Sequence, residues 1–272
     1  MIIFPNAKVN LGLNIIKRRK DGFHEIETCF LPVPWREALE IVPAPPGKKT
    51  SLTITGLEVP GQEGQNLIMR AFKALHKDFQ LPASQIYLHK ALPMGAGLGG
   101  GSADAAFALS CLNELYDLYL SDDIIELYAQ DLGSDCPFFL YNRPMMARGR
   151  GEVLSPIDLD LSSWYMVIVH PGIHIGTREA YSGVAPGEPE GDLEAMLQTP
   201  VASWKDKVVN QFETSVFPKY PEIEAIRDKM YEHGAVYSSM TGSGSAVYGL
   251  FSEQTDIRAQ FSDSYTVWQG QL

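Results

Sequence analysis

Five glycines within seven positions, Gly95, Gly97, Gly99, Gly100 and Gly101, follow Pro93-Met94 and lead into Ser102 and an alanine-rich stretch. Glycines so spaced let successive backbone N–H groups converge, and a helix starting there adds the positive end of its dipole. An anion such as a phosphate is the expected guest. Ser102 stands where a hydroxyl could cap the helix, touch a phosphate or ligate Mg2+. Gly95, Gly97 and Gly100 also satisfy GxGxxG, but no βαβ unit surrounds them and no strand-terminal acid follows about 20 residues on, as a dinucleotide fold requires. No Lys-Ser/Thr follows the glycines either, so a Walker A loop is excluded.

Three further groups could complete a phosphoryl-transfer site. Lys8 and Asn10 alternate with Val9, Leu11, Leu13 and Ile15, so a period of two sets both polar side chains on one face of a strand. Lys8 by itself reads as a solvated surface charge. Asp135 lies in Gly133-Ser134-Asp135-Cys136-Pro137, where an aspartate ordinarily serves as a turn or cap residue. Transfer to an alcohol nevertheless needs a carboxylate to accept or orient the hydroxyl proton and a cation to offset developing charge. Thr241-Gly242-Ser243-Gly244-Ser245 reads as a tight hairpin whose small residues also let a ligand or a second backbone come close.

The elements that must position these groups follow from periodicity and punctuation. Strands are predicted over Lys8–Ile15, His24–Val33, Ala38–Val42, Ser51–Thr55 and Gln85–Leu92, with a helix capped by Asn66 and running to Lys77. A second helix spans Ala103–Tyr116, and a third starts after Ser121 and stops at Gly133, a suitable C-cap residue. Beyond a boundary near residues 155–163, strand Trp164–His170, helix Glu222–Glu232, strands Val236–Met240 and Ala246–Phe251, short helix Asp256–Phe261 and strand Tyr265–Gln269 give β-α-β-β-α-β. That is the order of a ferredoxin-like split βαβ domain, with Gly183–Asp192 as an exposed excursion.

Composition narrows the class. The 272 residues are 45% apolar and 20% charged, ordinary for a globular chain, and the net charge of −11 argues against nucleic acid and membrane surfaces as partners. Cys29, Cys111 and Cys136 lie far apart, and neither they nor the six histidines form a metal-ligand spacing, so no metal site is expected from the side chains. With no h-region at the start and no apolar run of about 20 residues, a cytoplasmic location is expected.

Taken in order, Pro5-Asn6-Ala7-Lys8-Val9-Asn10-Leu11, Pro93–Ala106 and Met240–Ala246 resemble the three motifs of the galactokinase–homoserine kinase–mevalonate kinase–phosphomevalonate kinase (GHMP) superfamily. The resemblance implies an α+β fold: a ribosomal-protein-S5-like N-terminal α/β domain over 1–158 and a ferredoxin-like C-terminal domain over 159–272. It also implies an ATP-dependent kinase using Mg2+. Asp21-Gly22-Phe23-His24 and Gly133–Phe139 are most similar to the branch acting on a cytidine-diphosphate-linked methylerythritol in non-mevalonate isoprenoid synthesis.

From that resemblance, Asp135 would take or polarise the acceptor's 2-hydroxyl proton, and Lys8 would hold that carboxylate ionised. Gly95, Gly97, Gly99, Gly100, Gly101 and Ser102, entered through Pro93, would surround the ATP phosphates, with Asn66 and Lys90 near its nucleoside end. Asn10 and Thr177 would bind the methylerythritol, and Gly242 and Gly244 the diphosphate or the acceptor. His24 would bond the cytosine edge while Phe23 and Tyr181 stack on the base, stacking being worth on the order of 1–3 kcal/mol per base. Two competitors are another superfamily kinase with no need of His24, and a nucleotide-binding regulator without catalysis. The second would be expected to lack Lys8 or Asp135, and both are present.

Overall fold

The computed structural model describes all 272 residues. In chain order its elements are β1 (Ile2–Ile3), β2 (Asn6–Arg18), β3 (His24–Arg36), β4 (Ala38–Pro43), β5 (Ser51–Gly56), α1 (Leu67–Phe79), β6 (Ser84–Lys90), α2 (Gly100–Leu115), α3 (Asp122–Leu132) and α4 (Cys136–Tyr141). There follow β7 (Met145–Gly149), β8 (Val153–Pro156), β9 (Tyr165–His170), α5 (Thr177–Ser182), α6 (Leu193–Leu197), α7 (Glu213–Val216), α8 (Pro221–Glu232), β10 (Tyr237–Met240), β11 (Val247–Phe251) and β12 (Thr266–Gln271). The chain forms two compact units that interleave in sequence: Met1–Ala7, Trp35–Met94 and Gly99–Asn142 in the first, and Lys8–Pro34, Gly95–Leu98 and Arg143–Leu272 in the second. No helix is long and apolar enough to cross a membrane.

The first unit is a sheet of order β1-β4-β6-β5, with β5 parallel to β6 and β4 antiparallel to it, packed with helices α1–α4. In α1, Ile68, Ala71, Phe72 and Leu75 recur at helical spacing and are buried, while the Asn66 carboxamide caps the start by accepting the Ile68 N–H at 2.9 Å. Ala103, Ala105, Ala106 and Ala108 of α2 are buried too, and such small side chains let neighbouring helices pack closely. The core runs through Leu39, Ile41, Ile86 and Leu88 of the sheet and Phe72, Leu109 and Leu112 of the helices. The helix α4 is not among the sequence expectations; Pro137 in its first turn, with φ already fixed for a helix, is the signal that marks it.

The second unit contains two sheets. One has the order β10-β11-β9-β12, antiparallel throughout, with α8 between β9 and β10 in sequence, which is the expected split βαβ arrangement. The expected helix over Asp256–Phe261 is reduced to a 3-10 turn at Arg258–Gln260. Asp256 Oδ1 accepts both the Arg258 N–H at 3.2 Å and the Gln269 amide at 3.0 Å, and such side-chain bonding competes with helix propagation in so short a segment. The Gly183–Asp192 excursion is largely exposed, as expected.

The other sheet has the order β2-β3-β7-β8; β7 and β8 have no counterpart in the sequence reading. The strand β2 is buried on both faces, so Lys8 and Asn10 are only 3% and 2% exposed rather than lying on a wet face. Long-range partners account for this. Leu13 N–H donates to the Val209 carbonyl at 2.9 Å and the Leu13 carbonyl accepts from Gln211 at 2.8 Å. The Asn210 amide donates to the carbonyls of Met240 and Gly242 at 2.7 and 2.8 Å. These bonds bring β2 into one unit with residues 209–242, so compactness follows no single cut along the chain.

Candidate active site

In the second unit, Lys8 and Asn10 project from β2 into a polar cluster. Lys8 Nζ donates to Asn10 Oδ1 at 2.6 Å and lies 4.7 Å from the Phe30 ring centre. The Asn10 backbone N–H donates to Thr241 Oγ1 at 3.0 Å, its side-chain amide to Thr28 Oγ1 at 3.0 Å, and its carbonyl accepts from the Tyr248 hydroxyl at 2.8 Å. Asn10 is therefore bonded at backbone and side chain alike, and its oxygen faces the Lys8 ammonium. Thr28, Thr241 and Tyr248 belong to this cluster without any distinguishing pattern in the sequence; only their partners, far off along the chain, mark them.

The turn carrying Gly242 and Gly244 packs against the opening of the glycine run. A Cβ on Gly97, whose φ is +80°, would lie 2.1 Å from the Thr241 carbonyl oxygen, and one on Gly242 would lie 3.1 Å from Gly97 Cα. The Lys8 N–H meanwhile donates to the Leu98 carbonyl at 2.9 Å. Gly97→Ala is accordingly expected to lower the melting temperature by several degrees, because both the left-handed φ and the backbone contact must be given up; differential scanning fluorimetry checks this. The Gly244 φ of +88° is likewise left-handed.

His24 and Tyr181 come together in the same unit, with parallel rings 4.4 Å apart, and Tyr181 meets Phe212 edge-on at 4.8 Å. Phe23 is 54% exposed with the Arg150 guanidinium 5.0 Å from its ring centre. Burial of the His24 ring, helped by the Arg18 charge, lowers its pKa below the ordinary 6.5. Thr177 opens α5 and is exposed.

In the first unit the remainder of the glycine run turns into α2. Gly99, at φ +72°, stands at the N-cap, so the helix begins within the glycines, and Ser102 is its third residue rather than its cap. Asp135 occupies the N-cap position of α4, but its side chain does not cap that helix. The residue is half-buried, in the short Gly133–Asp135 link between α3 and α4.

A cavity of about 470 Å3 opens in this unit, lined among others by Ile54, Pro60, Asn66, Leu67, Met94 and Gly101. Lys90 and Asp104 also line it. Lys90 is 1% exposed and its ammonium is shared between Glu37 Oε1 at 2.6 Å and Asp104 Oδ2 at 2.8 Å. Burial works against the Lys90 charge, yet the two carboxylates outweigh it and the pKa rises. Burial, with Glu37 adding repulsion, pushes the Asp104 carboxyl up to about 7 against the pull of Lys90. Pro93 is buried and Gly95 exposed at the entry to the glycine run. No group of three or more His, Cys, Asp or Glu side chains gathers as a metal-binding cluster.

A model of the GHMP kinases N terminal domain matches residues 66–143, and one of the GHMP kinases C terminal matches residues 192–266. The sequence is 48% identical over 274 residues to the 4-diphosphocytidyl-2-C-methyl-D-erythritol kinase of Parabacteroides distasonis, covering 100% of both chains. It is 47% identical over 273 residues to the enzyme of the same name from Bacteroides fragilis, again covering 100% of both. A crystal structure of 4-(cytidine 5'-diphospho)-2C-methyl-D-erythritol kinase superposes with a TM-score of 0.77 at 35% identity, over 92% of this chain and 90% of that one. A mevalonate kinase structure, 13% identical, superposes with a TM-score of 0.73 over 99% and 98% of the two chains and shares the fold.

Proposed function

We propose a function from one premise: the chain belongs to the GHMP kinase family, and within it to the 4-diphosphocytidyl-2-C-methyl-D-erythritol kinases. It transfers the γ-phosphoryl group of ATP to the 2-hydroxyl of 4-diphosphocytidyl-2-C-methyl-D-erythritol, releasing ADP, in the non-mevalonate route to isoprenoid precursors. The observation that carries the chemical reading is Lys8, an ammonium 3% exposed and bonded to Asn10 on β2, inside the Pro5–Leu11 motif. Holding an ammonium out of water needs partners that engage its charge, since its desolvation costs several kcal/mol.

In this reading Asp135 accepts or orients the proton of the 2-hydroxyl, and Lys8 acts on the same step by offsetting negative charge on the attacking oxygen. Asn10 and Thr177 bind the methylerythritol. The N–H groups of the Gly95–Gly101 run and the dipole of α2 hold the ATP phosphates, with Ser102 beside them, and Gly242 and Gly244 serve the acceptor side. Asn66 and Lys90 flank the nucleoside. Mg2+ would enter with ATP, where it would offset the charge of the phosphates. We read residues 1–158 and 159–272 as the two family domains, a division supported by family models that fall on either side of it. A cytoplasmic setting, with no nucleic acid or membrane partner, suits the −11 charge.

The substrate assignment is tested with purified protein, ATP and either the cytidyl acceptor or free 2-C-methyl-D-erythritol 4-phosphate. Turnover is expected only with the first, and equal rates would refute the assignment. A second test concerns the cytosine pocket. A base stacking on the face of Tyr181 that His24 covers would gain about 1–3 kcal/mol while giving up a ring pair worth about 0.5–1.5 kcal/mol, a net gain over most of those ranges. Tyr181→Ala is therefore expected to raise KM for the cytidyl substrate about tenfold while sparing ATP. His24 needs an unprotonated ring nitrogen to accept from the cytosine amino group. Its lowered pKa keeps the ring neutral at pH 7, so cytidyl KM should rise only as pH falls below 6.5, and His24→Asn should flatten that profile. An unchanged wild-type KM down to pH 5 would dismiss His24 as a base contact.

A further inference from the structure

Glu37 belongs to none of the motifs, yet its contacts converge on the glycine run. It is the single residue between β3 and β4, and its side chain is 0% exposed. Oε1 accepts from Lys90 Nζ at 2.6 Å, and Oε2 accepts from the backbone N–H groups of Ala91 at 2.8 Å and Leu92 at 3.1 Å. Those two residues lead directly into Pro93 and the glycines. Lys90 passes the connection on to Asp104 Oδ2 at 2.8 Å, within the second turn of α2, on the far side of the same run.

The helix start is fitted to this pair. A Cβ on Gly100 would stand 3.1 Å from Lys90 Nζ and 3.2 Å from Glu37 Oε1, so α2 begins with its backbone pressed on the charges. One buried carboxylate therefore holds the chain entering the glycine run and, through one ammonium, the chain leaving it. Burying three ionisable groups is costly, and an apolar trio of equal volume would stabilise the core as well or better. What an apolar trio lacks is direction. Two N–H groups and an ammonium fixed on one carboxylate set the angle and separation of the segment's ends.

We propose that Glu37 is a positioning residue for nucleotide binding, acting with Lys90 and Asp104 to fix both ends of the glycine run so that its N–H groups are set for phosphate before ATP arrives. The inference rests on the reading of that run as the phosphate-holding segment. Preorganisation of this kind raises affinity by removing the ordering cost from the binding step, and it concerns ATP rather than the acceptor.

The test is steady-state kinetics on Glu37→Ala and Glu37→Gln, with KM for ATP and for the cytidyl acceptor measured separately and thermal unfolding recorded beside them. Glu37→Ala is expected to raise the ATP KM about tenfold and to leave the acceptor KM within about twofold. Glu37→Gln keeps an amide oxygen for the Ala91 and Leu92 N–H groups but turns an NH2 toward Lys90, so a rise of about threefold is expected. Should the alanine variant fail to fold, the glutamine variant decides alone. Gly101→Ala serves as the reference for the phosphate reading, because a Cβ there meets nothing closer than Leu67 Cδ1 at 3.8 Å and would disturb a bound phosphate without disturbing the fold. If Gly101→Ala raises the ATP KM while neither Glu37 variant does, the phosphate reading stands and the positioning role is overturned. If all three leave it unchanged, the phosphate reading falls and takes the proposal with it. Parallel rises in both KM values, tracking a lower melting temperature, would reduce Glu37 to a stability residue and overturn the proposal as well.

Discussion

Asp135→Asn is expected to slow turnover by about 10²–10⁴-fold while leaving ATP affinity within about twofold. The substitution suits the site because asparagine matches aspartate in size and keeps one oxygen acceptor, but it cannot take a proton at neutral pH. An N-cap aspartate would ordinarily make such a change ambiguous, since losing a cap costs about 1 kcal/mol of stability. The Asp135 side chain makes no cap bond to α4, so loss of a cap does not enter here, and melting curves recorded beside the rates separate stability from chemistry. The size of the effect also reports on mechanism. A loose phosphoryl transition state leaves most of the proton on the attacking oxygen, and the carboxylate then chiefly orients the hydroxyl, which favours the lower part of the range. A rate within threefold of wild type, measured under single turnover, would remove Asp135 from the chemistry.

The glycine run, the Asn66 cap, and the β2 and ferredoxin-like strands were legible because each depends on neighbours within a few residues. Punctuation and period carry that kind of information well. What each face meets is not local. Lys8 alternates with apolar residues as it would on a half-wet strand, and its burial is decided by partners of Asn10 such as Thr241 and Tyr248, which lie 231 and 238 residues beyond Asn10. Glu37 is a single acid between two strands, and nothing in its surroundings announces that it holds Lys90 and two backbone N–H groups. The turn over Arg258–Gln260 fell short of a helix for the opposite reason: only Ile257 and Phe261 anchor it, one helical turn apart, and local Asp256 bonding wins. Sequence thus names the groups that do chemistry more readily than those that hold them in place.

Lys8→Met is expected to reduce turnover by a factor comparable with Asp135→Asn, and the double variant to be no slower than the slower single one. Methionine retains most of the buried stem, so the change removes an ammonium without opening a large cavity beside Phe30. Asn10 Oδ1, which accepts from Lys8, keeps a bond from the Thr241 hydroxyl at 3.3 Å. Folding should therefore survive, and a comparison of melting temperatures will show it. The stronger inference comes from the cycle. Where an ammonium and a carboxylate serve one step, removing either forfeits what the other contributes, and the losses overlap instead of multiplying. Two residues serving separate steps would give a double variant slower by the product of the single effects. That product, seen in single-turnover rates at saturating ATP, would dissolve the pairing of Lys8 with Asp135 even if each single variant behaved as expected.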